Sequence, residues 1–264
     1  MNMLNNNHVN LIVTIKNRVQ HFIQTFPSLV TQYGASYDII LVDFGSNDNF
    51  LEKLKEEIEC RNVMFSPYLK NIICISKLDD VKFNPRCAKN LGAFCAVNCE
   101  SKGNIFAFSD VDTFLGMDYI SYWSNKITPS KSFFVTRQQE SMASLPRRLS
   151  PEINYGNIIV YKSDFLEVNG WDESVSHYGG DDDDLFHRLK LKGLREINPV
   201  LPVDAKQYSI LHGDELRTQY MSVVNRVDQG DSFSAIYGNK DCKRSICDHL
   251  VSPKEFKIHN YFRA

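Results

Sequence analysis

Carboxylates are concentrated at one point of the sequence, in the segment HYGGDDDDLFHRL at positions 177–189. Four consecutive aspartates follow two glycines, which leave the backbone open to a ligand. A helix N-terminus favours an acid by only about 0.3 to 1 kcal/mol, and consecutive carboxylates repel one another. Successive helical positions point about 100° apart, so Asp181, Asp182 and Asp183 must serve different purposes. This pattern suits a site where one carboxylate accepts a proton and another binds a polyol.

A second pair of carboxylates, Asp110 and Asp112, ends the apolar segment IFAFSDVDTFL. In an extended chain, residues two positions apart point to the same side, so we expect both to face one ligand. Such oxygens bind hard divalent cations, which also bridge phosphates, but a solvated strand end is an equally simple interpretation. His212, after the strand-like QYSIL, is a candidate further metal ligand, although a single histidine is more often a core or surface residue.

Alternating strands and helices must position these residues. Apolar runs predict strands at 9–15, 37–44, 71–76 and 104–109, and helical spacing predicts intervening helices after 17, around 51–58 and at about 86–98. Four alternations in about 110 residues indicate parallel strands with crossover helices. Ligands of such sheets bind beyond the carboxyl ends of the strands, where Asp43 and Asp110 lie.

Local signals refine this outline. Asn17 is the expected N-cap of the first helix, and Pro27 is expected to kink or shorten that helix. The second half is less regular, and we expect strands at 132–136 and 157–161, a loop at 137–152, and helices at about 163–169, 181–192 and 214–228. Leu185 and Leu189 should anchor the helix that follows the aspartate run.

Composition limits the possible partners and location. The net charge of −2 provides no basic excess, which argues against a nucleic-acid partner. The seven cysteines form no CxxC pair, so free thiols are expected. The N-terminus lacks a cationic start followed by an apolar core, and the apolar runs are strand-sized. A cytoplasmic protein is therefore expected.

Taken together, these segments resemble family 2-type glycosyltransferases of the GT-A fold, most closely the β-1,4-galactosyltransferase-like branch that includes bacterial capsule-polymerising enzymes. FSDVDTF is similar to the DxD metal motif of the family, and NGWDESVSHYGGDDDDLFHRL to its acceptor and catalytic segment. VTIKNR, ILVDFGSND and RCAKNLGA resemble its nucleotide-binding segments, and ILHGD resembles the segment that supplies a metal-binding histidine. The resemblance implies an α/β, GT-A (Rossmann-like) single domain with a mixed, mostly parallel central sheet.

The resemblance also implies a role for each matching residue. Asp182 would be the catalytic base. The acceptor would be bound by Asp181, Asp183, Tyr178 and Gly180. The nucleotide would be bound by Lys16, Arg18, Asp43, Arg86 and Asp110, with Asp43 at the uracil base and Asp110 near the ribose or a metal-bound water. Mn²⁺ or Mg²⁺ would be held by Asp112 and His212.

The implied activity is metal-dependent transfer, with inversion, of a galactose-, N-acetylgalactosamine- or glucose-type sugar from a UDP-sugar to a hydroxyl of a glycan or glycolipid acceptor. Residues 1–112 would form the nucleotide-binding half of the domain, 113–213 the acceptor-binding half, and 214–264 a lid and C-terminal segment. Peripheral association with the inner face of the membrane and the oligomeric state are left open. The alternatives are a retaining GT-A transferase, a nucleotidyltransferase, and a non-catalytic calcium- or sugar-binding module.

Overall fold

The computed structural model describes residues 7–60, 64–78, 83–99, 101, 103–135, 149–150, 157–173, 181–197, 202–210 and 256–263. The helices are α1 (Val19–Val30), α2 (Phe50–Cys60), α3 (Pro85–Asn98), α4 (Tyr119–Ser124), α5 (Lys162–Glu167) and α6 (Asp181–Leu191), with a 3₁₀ turn at Val203–Ala205. The strands are β1 (His8–Ile15), β2 (Ser36–Asp43), β3 (Leu69–Lys77), β4 (Ile105–Asp110), β5 (Thr113–Leu115), β6 (Ser132–Val135), β7 (Leu149–Ser150), β8 (Ile158–Tyr161), β9 (Arg195–Ile197), β10 (Gln207–Ile210) and β11 (Phe256–Arg263).

The centre of the fold is an eight-stranded sheet with the order β11-β3-β2-β1-β4-β8-β6-β9. Strands β3, β2, β1 and β4 pair in parallel, and so do β6 and β9. Strand β8 is antiparallel to both of its neighbours, and β11 is antiparallel to β3. A smaller antiparallel sheet contains β5, β10 and β7. The predicted α/β class with a mixed, mostly parallel sheet is confirmed.

Helices cover both faces of this sheet because the inner strands are apolar on both sides. Alternate residues of β1, such as Leu11 and Val13, join one buried cluster with Phe22 of α1. Ile12 faces the other cluster, which contains residues of α3 and α6, among them Leu185. Leu185 and Leu189 are fully buried, as expected for the anchors of α6. No helix within the described ranges combines the length and the hydropathy needed to cross a membrane.

Helix α3 approaches the sheet closely at Gly92. A Cβ atom there would lie 2.4 Å from Ile12 Cγ2 and 2.9 Å from Val42 Cγ2, so a side chain would collide with the sheet. The helix begins at Pro85, and the Asn84 side chain caps it by accepting from the backbone amides of the next turn. The closeness of α3 to β1 and β2 fixes where its polar N-terminal residues lie relative to the strand ends.

The structure corrects one expectation about α1 and half of another. Asn17 is not the N-cap, because it adopts a left-handed conformation (φ 50°) and α1 begins at Val19. The Val19 amide instead donates to the Asp48 carboxylate at 2.8 Å, so the cap comes from the loop after β2. The helix is not shortened at Pro27, because it continues to Val30, where buried core packing of the last turn outweighs the lost amide donor; a kink at Pro27 stays a prediction.

In the described residues after β4, four strands were not predicted from the sequence: β5, β7, β9 and β11. Strand β7 lies at the end of the segment expected to be a loop, and β11 adds an edge strand next to β3. The rest of that loop and the helix expected at 214–228 lie outside the described residues. The proposed boundaries of the nucleotide, acceptor and lid segments stay predictions.

Candidate active site

Three of the predicted nucleotide-binding residues, Lys16, Asp43 and Asp110, lie at the carboxyl edge of the sheet. In the parallel register, Ile15 of β1 pairs with Asp43 of β2, and Thr14 pairs with Asp110 of β4. Lys16 follows directly after β1. The end of the first strand and the two predicted aspartates therefore lie side by side, as expected for a ligand site of a parallel sheet.

Local hydrogen bonds hold this edge in place. The buried Asp43 carboxylate accepts from the Ser46 amide at 2.9 Å through Oδ1 and from the Ser76 hydroxyl at 2.8 Å through Oδ2. Lys16 Nζ donates to the carbonyl oxygen of Gly45, which joins the ends of β1 and β2. Arg18, at the start of α1, is half-buried. Their contacts with a nucleotide stay predictions.

The four consecutive aspartates begin α6 and have different environments. The Asp181 carboxylate lies 3.4 Å from the Arg86 guanidinium of α3, and both residues are buried. The Asp184 carboxylate accepts from Arg188 Nη2 and Nε at 2.7 and 2.9 Å, one turn further along the same helix. Asp183 is half-buried. Asp181 therefore forms an ion pair with α3, and Asp184 forms an ion pair within α6. This difference follows from the helical geometry, which points successive side chains in different directions.

Asp182, the predicted base, has two donors on one oxygen. Its Oδ1 lies 3.4 Å from Lys89 Nζ and accepts from Trp171 Nε1 at 3.2 Å. The Trp171 ring is fully buried, and its backbone exchanges two hydrogen bonds with the Asn90 side chain at 2.8 and 3.0 Å. Asn90 also donates to Glu173 at 2.7 Å. Helix α3 thus contains one donor to Asp182, Lys89, and positions the other, Trp171, through Asn90.

The electrostatics join the two clusters of aspartates. Burial raises the pKa of Asp182 to about 6, with the charges of Asp181 and Asp110 adding to the rise, although Lys89 and the Trp171 hydrogen bond act in the opposite direction. Burial would lower the pKa of Lys89, but the charges of Asp182, Asp110 and Asp181 raise it above its usual value. Asp110 and Asp182, about 70 positions apart in the sequence, therefore lie within electrostatic reach of one buried ammonium.

The candidate metal ligands are described only in part. Asp110 ends β4 and its amide donates to Asn157 at 3.1 Å, whereas Asp112 is in the turn that follows. The expectation that both continue one extended strand is therefore wrong. The carbonyl oxygen of Asp112 accepts from the Ile210 amide at 2.8 Å, so β10 passes beside it two positions before His212. Within the described ranges, no three or more His, Cys, Asp or Glu side chains form a metal-binding group.

His212, Tyr178 and Gly180 lie outside the described residues, so their roles stay predictions. Three site residues, Lys89, Asn90 and Trp171, lie in segments recognised in the sequence but were not predicted as site residues. The spacing of Arg86 and Lys89 is a signal that could have revealed one of them, because residues three apart on a helix share a face.

Comparison with known proteins gives an independent view of this arrangement. Residues 141–212 match the family model described as the N-terminal domain of galactosyltransferase. The matched segment contains the aspartate run and ends at His212. No curated protein sequence matches the chain significantly.

Solved structures are similar to the whole fold. A mutant of Drosophila β1,4-galactosyltransferase 7 in complex with manganese, UDP-Gal and xylobiose has a TM-score of 0.56 and 15% identity, covering 91% of this chain and 83% of that one. S. aureus TarS with UDP-GlcNAc has a TM-score of 0.56 and 14% identity, covering 87% and 65%.

The mannosyltransferase PcManGT from Pyrobaculum calidifontis, in complex with GDP-Man and Mn²⁺, has a TM-score of 0.53 and 15% identity, covering 72% of this chain and 54% of that one. At these identities the similarity establishes the fold, which is GT-A. The matched galactosyltransferase segment and this fold bear out the resemblance to GT-A glycosyltransferases seen in the sequence, and they support a glycosyltransferase.

Proposed function

We propose that this chain transfers a sugar from a UDP-sugar to a hydroxyl group of a glycan or glycolipid, with inversion at the anomeric carbon and with a divalent cation. The observation that carries the proposal is that Lys89, 3.4 Å from Asp182, is also within electrostatic reach of Asp110. One carboxylate belongs to the DxD-like segment and the other to the matched galactosyltransferase segment. A transferase needs its donor and acceptor groups within one site, and this arrangement supports such a site.

Asp182 is suited to act as a general base. Its pKa of about 6 keeps the carboxylate mostly ionised at neutral pH, yet closer to the pH of reaction than that of an exposed aspartate. Removing the acceptor proton during attack strengthens the nucleophile, and a positioned base contributes about 10²-fold to 10⁴-fold to the rate. A base that assists attack from the face opposite the leaving group yields inversion.

Asp181 and Asp183 flank this base on the first turn of α6 and would bind acceptor hydroxyls, together with Tyr178 and Gly180. Carboxylates suit this role because each accepts several hydrogen bonds from a polyol. Asp181 is already oriented by Arg86 at 3.4 Å. A preorganised carboxylate loses less conformational freedom when the acceptor binds.

A carboxylate from Asp112 and an imidazole from His212 would hold Mn²⁺ or Mg²⁺. The donor set fits, because Mn²⁺ accepts both oxygen and imidazole ligands, and because β10 leads toward position 212 beside the Asp112 carbonyl. When bound, such a cation neutralises the charge that develops on the leaving diphosphate. Lys16, Arg18, Asp43, Arg86 and Asp110 would bind the nucleotide around it.

UDP is proposed as the donor nucleotide because two of the similar structures contain UDP-Gal and UDP-GlcNAc. The sugar is proposed to be of the galactose, N-acetylgalactosamine or glucose type. The cytoplasmic location, and association with the inner face of the membrane, are proposals drawn from the sequence; fractionation of cells that express the tagged chain tests them.

The deciding experiment measures UDP release with each UDP-sugar in the presence of Mn²⁺, with and without a panel of glycan acceptors. We expect one donor to give acceptor-dependent release that EDTA abolishes and Mn²⁺ restores. NMR of the product should show inverted anomeric configuration. Retention of configuration would replace the inverting reaction with a retaining one, pyrophosphate release would indicate a nucleotidyltransferase, and calcium binding without nucleotide binding would indicate a non-catalytic module.

A further inference from the structure

Lys89 is a buried cation at the centre of the candidate site. Its side chain is 4% exposed, its Nζ lies 3.4 Å from Asp182 Oδ1, and the same Nζ lies 4.9 Å from the centroid of the Trp171 ring. Burying an ammonium costs several kcal/mol unless anions or hydrogen bonds compensate for the lost hydration. Trp171 adds a cation–π contact that helps to offset this cost. This placement makes Lys89 more than a solvated lysine.

Within the part of the chain that the structure describes, the charges that act on Asp182 come from three elements. Helix α3 contributes Lys89, the end of β4 contributes Asp110, and α6 itself contributes Asp181. The turn after α5 contributes the neutral donor Trp171. Arg86, the other cation of α3, lies against Asp181 at 3.4 Å. Lys89 is thus the cation paired directly with Asp182, whereas two carboxylates oppose its ionisation.

We infer that Lys89 is a positioning residue for the proposed base, and that its ammonium keeps the Asp182 carboxylate ionised and fixed in place. The inference rests on the proposed function of Asp182 as the proton acceptor. Without Lys89, burial and the two neighbouring carboxylates would act on Asp182 with only the neutral Trp171 donor to oppose them. A protonated Asp182 accepts no proton, so the acceptor hydroxyl would no longer be activated at neutral pH.

A structural role for Lys89 predicts a different result. If the lysine only filled space between α3 and α6, its replacement would lower stability and reduce activity by the same factor at every pH. If it sets the ionisation of Asp182, its replacement would move the acid side of the pH profile. An opposite charge at 4 to 6 Å typically changes a carboxyl pKa by about 1 to 3 units, which is large enough to measure.

The first test needs no substrate. Carboxyl ¹³C NMR of the full chain labelled at aspartate gives the titration midpoint of Asp182, with Asp182→Asn assigning the signal. We expect Lys89→Met to raise this midpoint by about 1 to 3 pH units and Lys89→Arg to stay near the wild type. Lys192→Met is the matched control, because it removes the same charge from a half-exposed lysine paired with Glu167. It should leave the midpoint unchanged.

The second test uses transfer activity. In Lys89→Met, the acid limb of the kcat/KM profile should move upward by the same interval, so transfer at pH 7 falls by about twofold for a shift of 1 unit to about 90-fold for a shift of 3 units, and recovers at alkaline pH. If the apolar variant does not fold, Lys89→Gln replaces it and should show the same displacement. An unchanged midpoint, or a displaced midpoint with an unmoved acid limb, overturns the inference.

The two tests separate this inference from the proposed function. If the wild type releases no UDP with any donor but the midpoint moves in Lys89→Met, the transferase proposal fails while the control of Asp182 ionisation by Lys89 stands. If the wild type transfers sugar and Lys89→Met changes only stability, the inference alone fails.

Discussion

Carboxylates at the two ends of the parallel strands have different surroundings. At the amino end, Asp38 of β2 is fully buried, with His8 Nε2 2.9 Å from Oδ2 and Asn71 donating to Oδ1 at 2.7 Å. At the carboxyl end, the charge of Asp110 acts on Asp182, whose donors, Lys89 and Trp171, both contact its Oδ1. The Asp38 carboxylate is removed from water and has a partner near each oxygen, whereas the Asp182 side chain is 19% exposed and its contacts within the described residues reach one oxygen.

The pKa values of Asp38 and Asp182 reflect these different surroundings. Burial alone would raise the pKa of Asp38, but the hydrogen bond and charge of His8, with side-chain hydrogen bonds from Ser101 and Asn71, lower it below its usual value. Burial raises the pKa of Asp182 to about 6 despite Lys89, because like charges add to the effect. A compensated carboxylate stabilises a fold, whereas an undercompensated one is available for chemistry. Burial by itself therefore does not distinguish a functional carboxylate from a structural one.

The sharpest contrast should come from the same substitution at both ends. Asp182→Asn removes the proton acceptor, so we expect transfer to fall by about 10²-fold to 10⁴-fold while UDP affinity stays near that of the wild type. Asp38→Asn should leave the kcat/KM of the folded enzyme unchanged. UDP-release kinetics and calorimetric titration with UDP measure both. Normal turnover by Asp182→Asn would remove Asp182 from the role of base.

Asp184 tests whether sequence position or pairing decides the behaviour of a carboxylate. It belongs to the aspartate run, but Arg188 pairs with it at 2.7 Å, as His8 pairs with Asp38. Asp184→Asn would leave the buried Arg188 charge uncompensated, so we expect a loss of roughly 3 to 5 kcal/mol in the free energy of unfolding. Urea denaturation measures this loss. A stable but inactive Asp184→Asn protein would contradict the division of labour within α6.

The pH dependence of stability should have opposite signs at the two ends. The raised pKa of Asp182 means that its contribution is full below about 4, the unfolded value, and is lost as pH rises through about 6. Between pH 4 and 7, the wild type should lose roughly 2 to 3 kcal/mol relative to Asp182→Asn. The lowered pKa of Asp38 means that its contribution is present above about 4 and is lost on further acidification, relative to Asp38→Asn. Denaturation curves of the wild type and both variants, recorded below and above pH 4, give these contributions. If the contributions of Asp182 and Asp38 to the free energy of unfolding changed with pH in the same direction, the contrast would be refuted.

The sequence predicts the inner sheet well because β1, β2 and β4 are apolar on both faces and need no partner to be recognised. Strand β11, FKIHNYFR, was missed because this edge strand contains only exposed and half-buried residues without a regular alternation, and because its pairing with β3 joins positions nearly 200 apart. The direction of β8 was not predicted either, since only long-range register determines it.

Some residues of the candidate site can likewise be recognised from the sequence, whereas others become apparent only in the folded structure. Asp182 and Asp110 stand out in sequence because carboxylates at those spacings are costly without a ligand or partner. Lys89 did not stand out, because a lysine looks solvated until α3 and α6 pack around it, and its burial is a property of that packing alone. Trp171 was read as part of a motif, but its hydrogen bond to Asp182 depends on the turn that Asn90 holds.

The smallest expected effect compares two serines that each hydrogen-bond a polar group of one strand end. Ser36 lies 2.9 Å from His8 at the amino end, and Ser76 donates to Asp43 at 2.8 Å at the carboxyl end. Losing either hydrogen bond by substitution with alanine should cost about 0.5 to 1.5 kcal/mol of stability. Only Ser76→Ala should also weaken UDP binding, by about two- to tenfold, because Asp43 loses a donor that orients it toward the nucleotide.

Urea denaturation and calorimetric titration with UDP on the two variants make this comparison directly. Equal losses of stability with unequal losses of UDP affinity would show that the ends differ in purpose although they share the same kind of hydrogen bond. Weakened UDP binding in Ser36→Ala would instead mean that disturbance at the amino end passes along the strands. In that case the separation between a structural end and a functional end of the sheet would not hold.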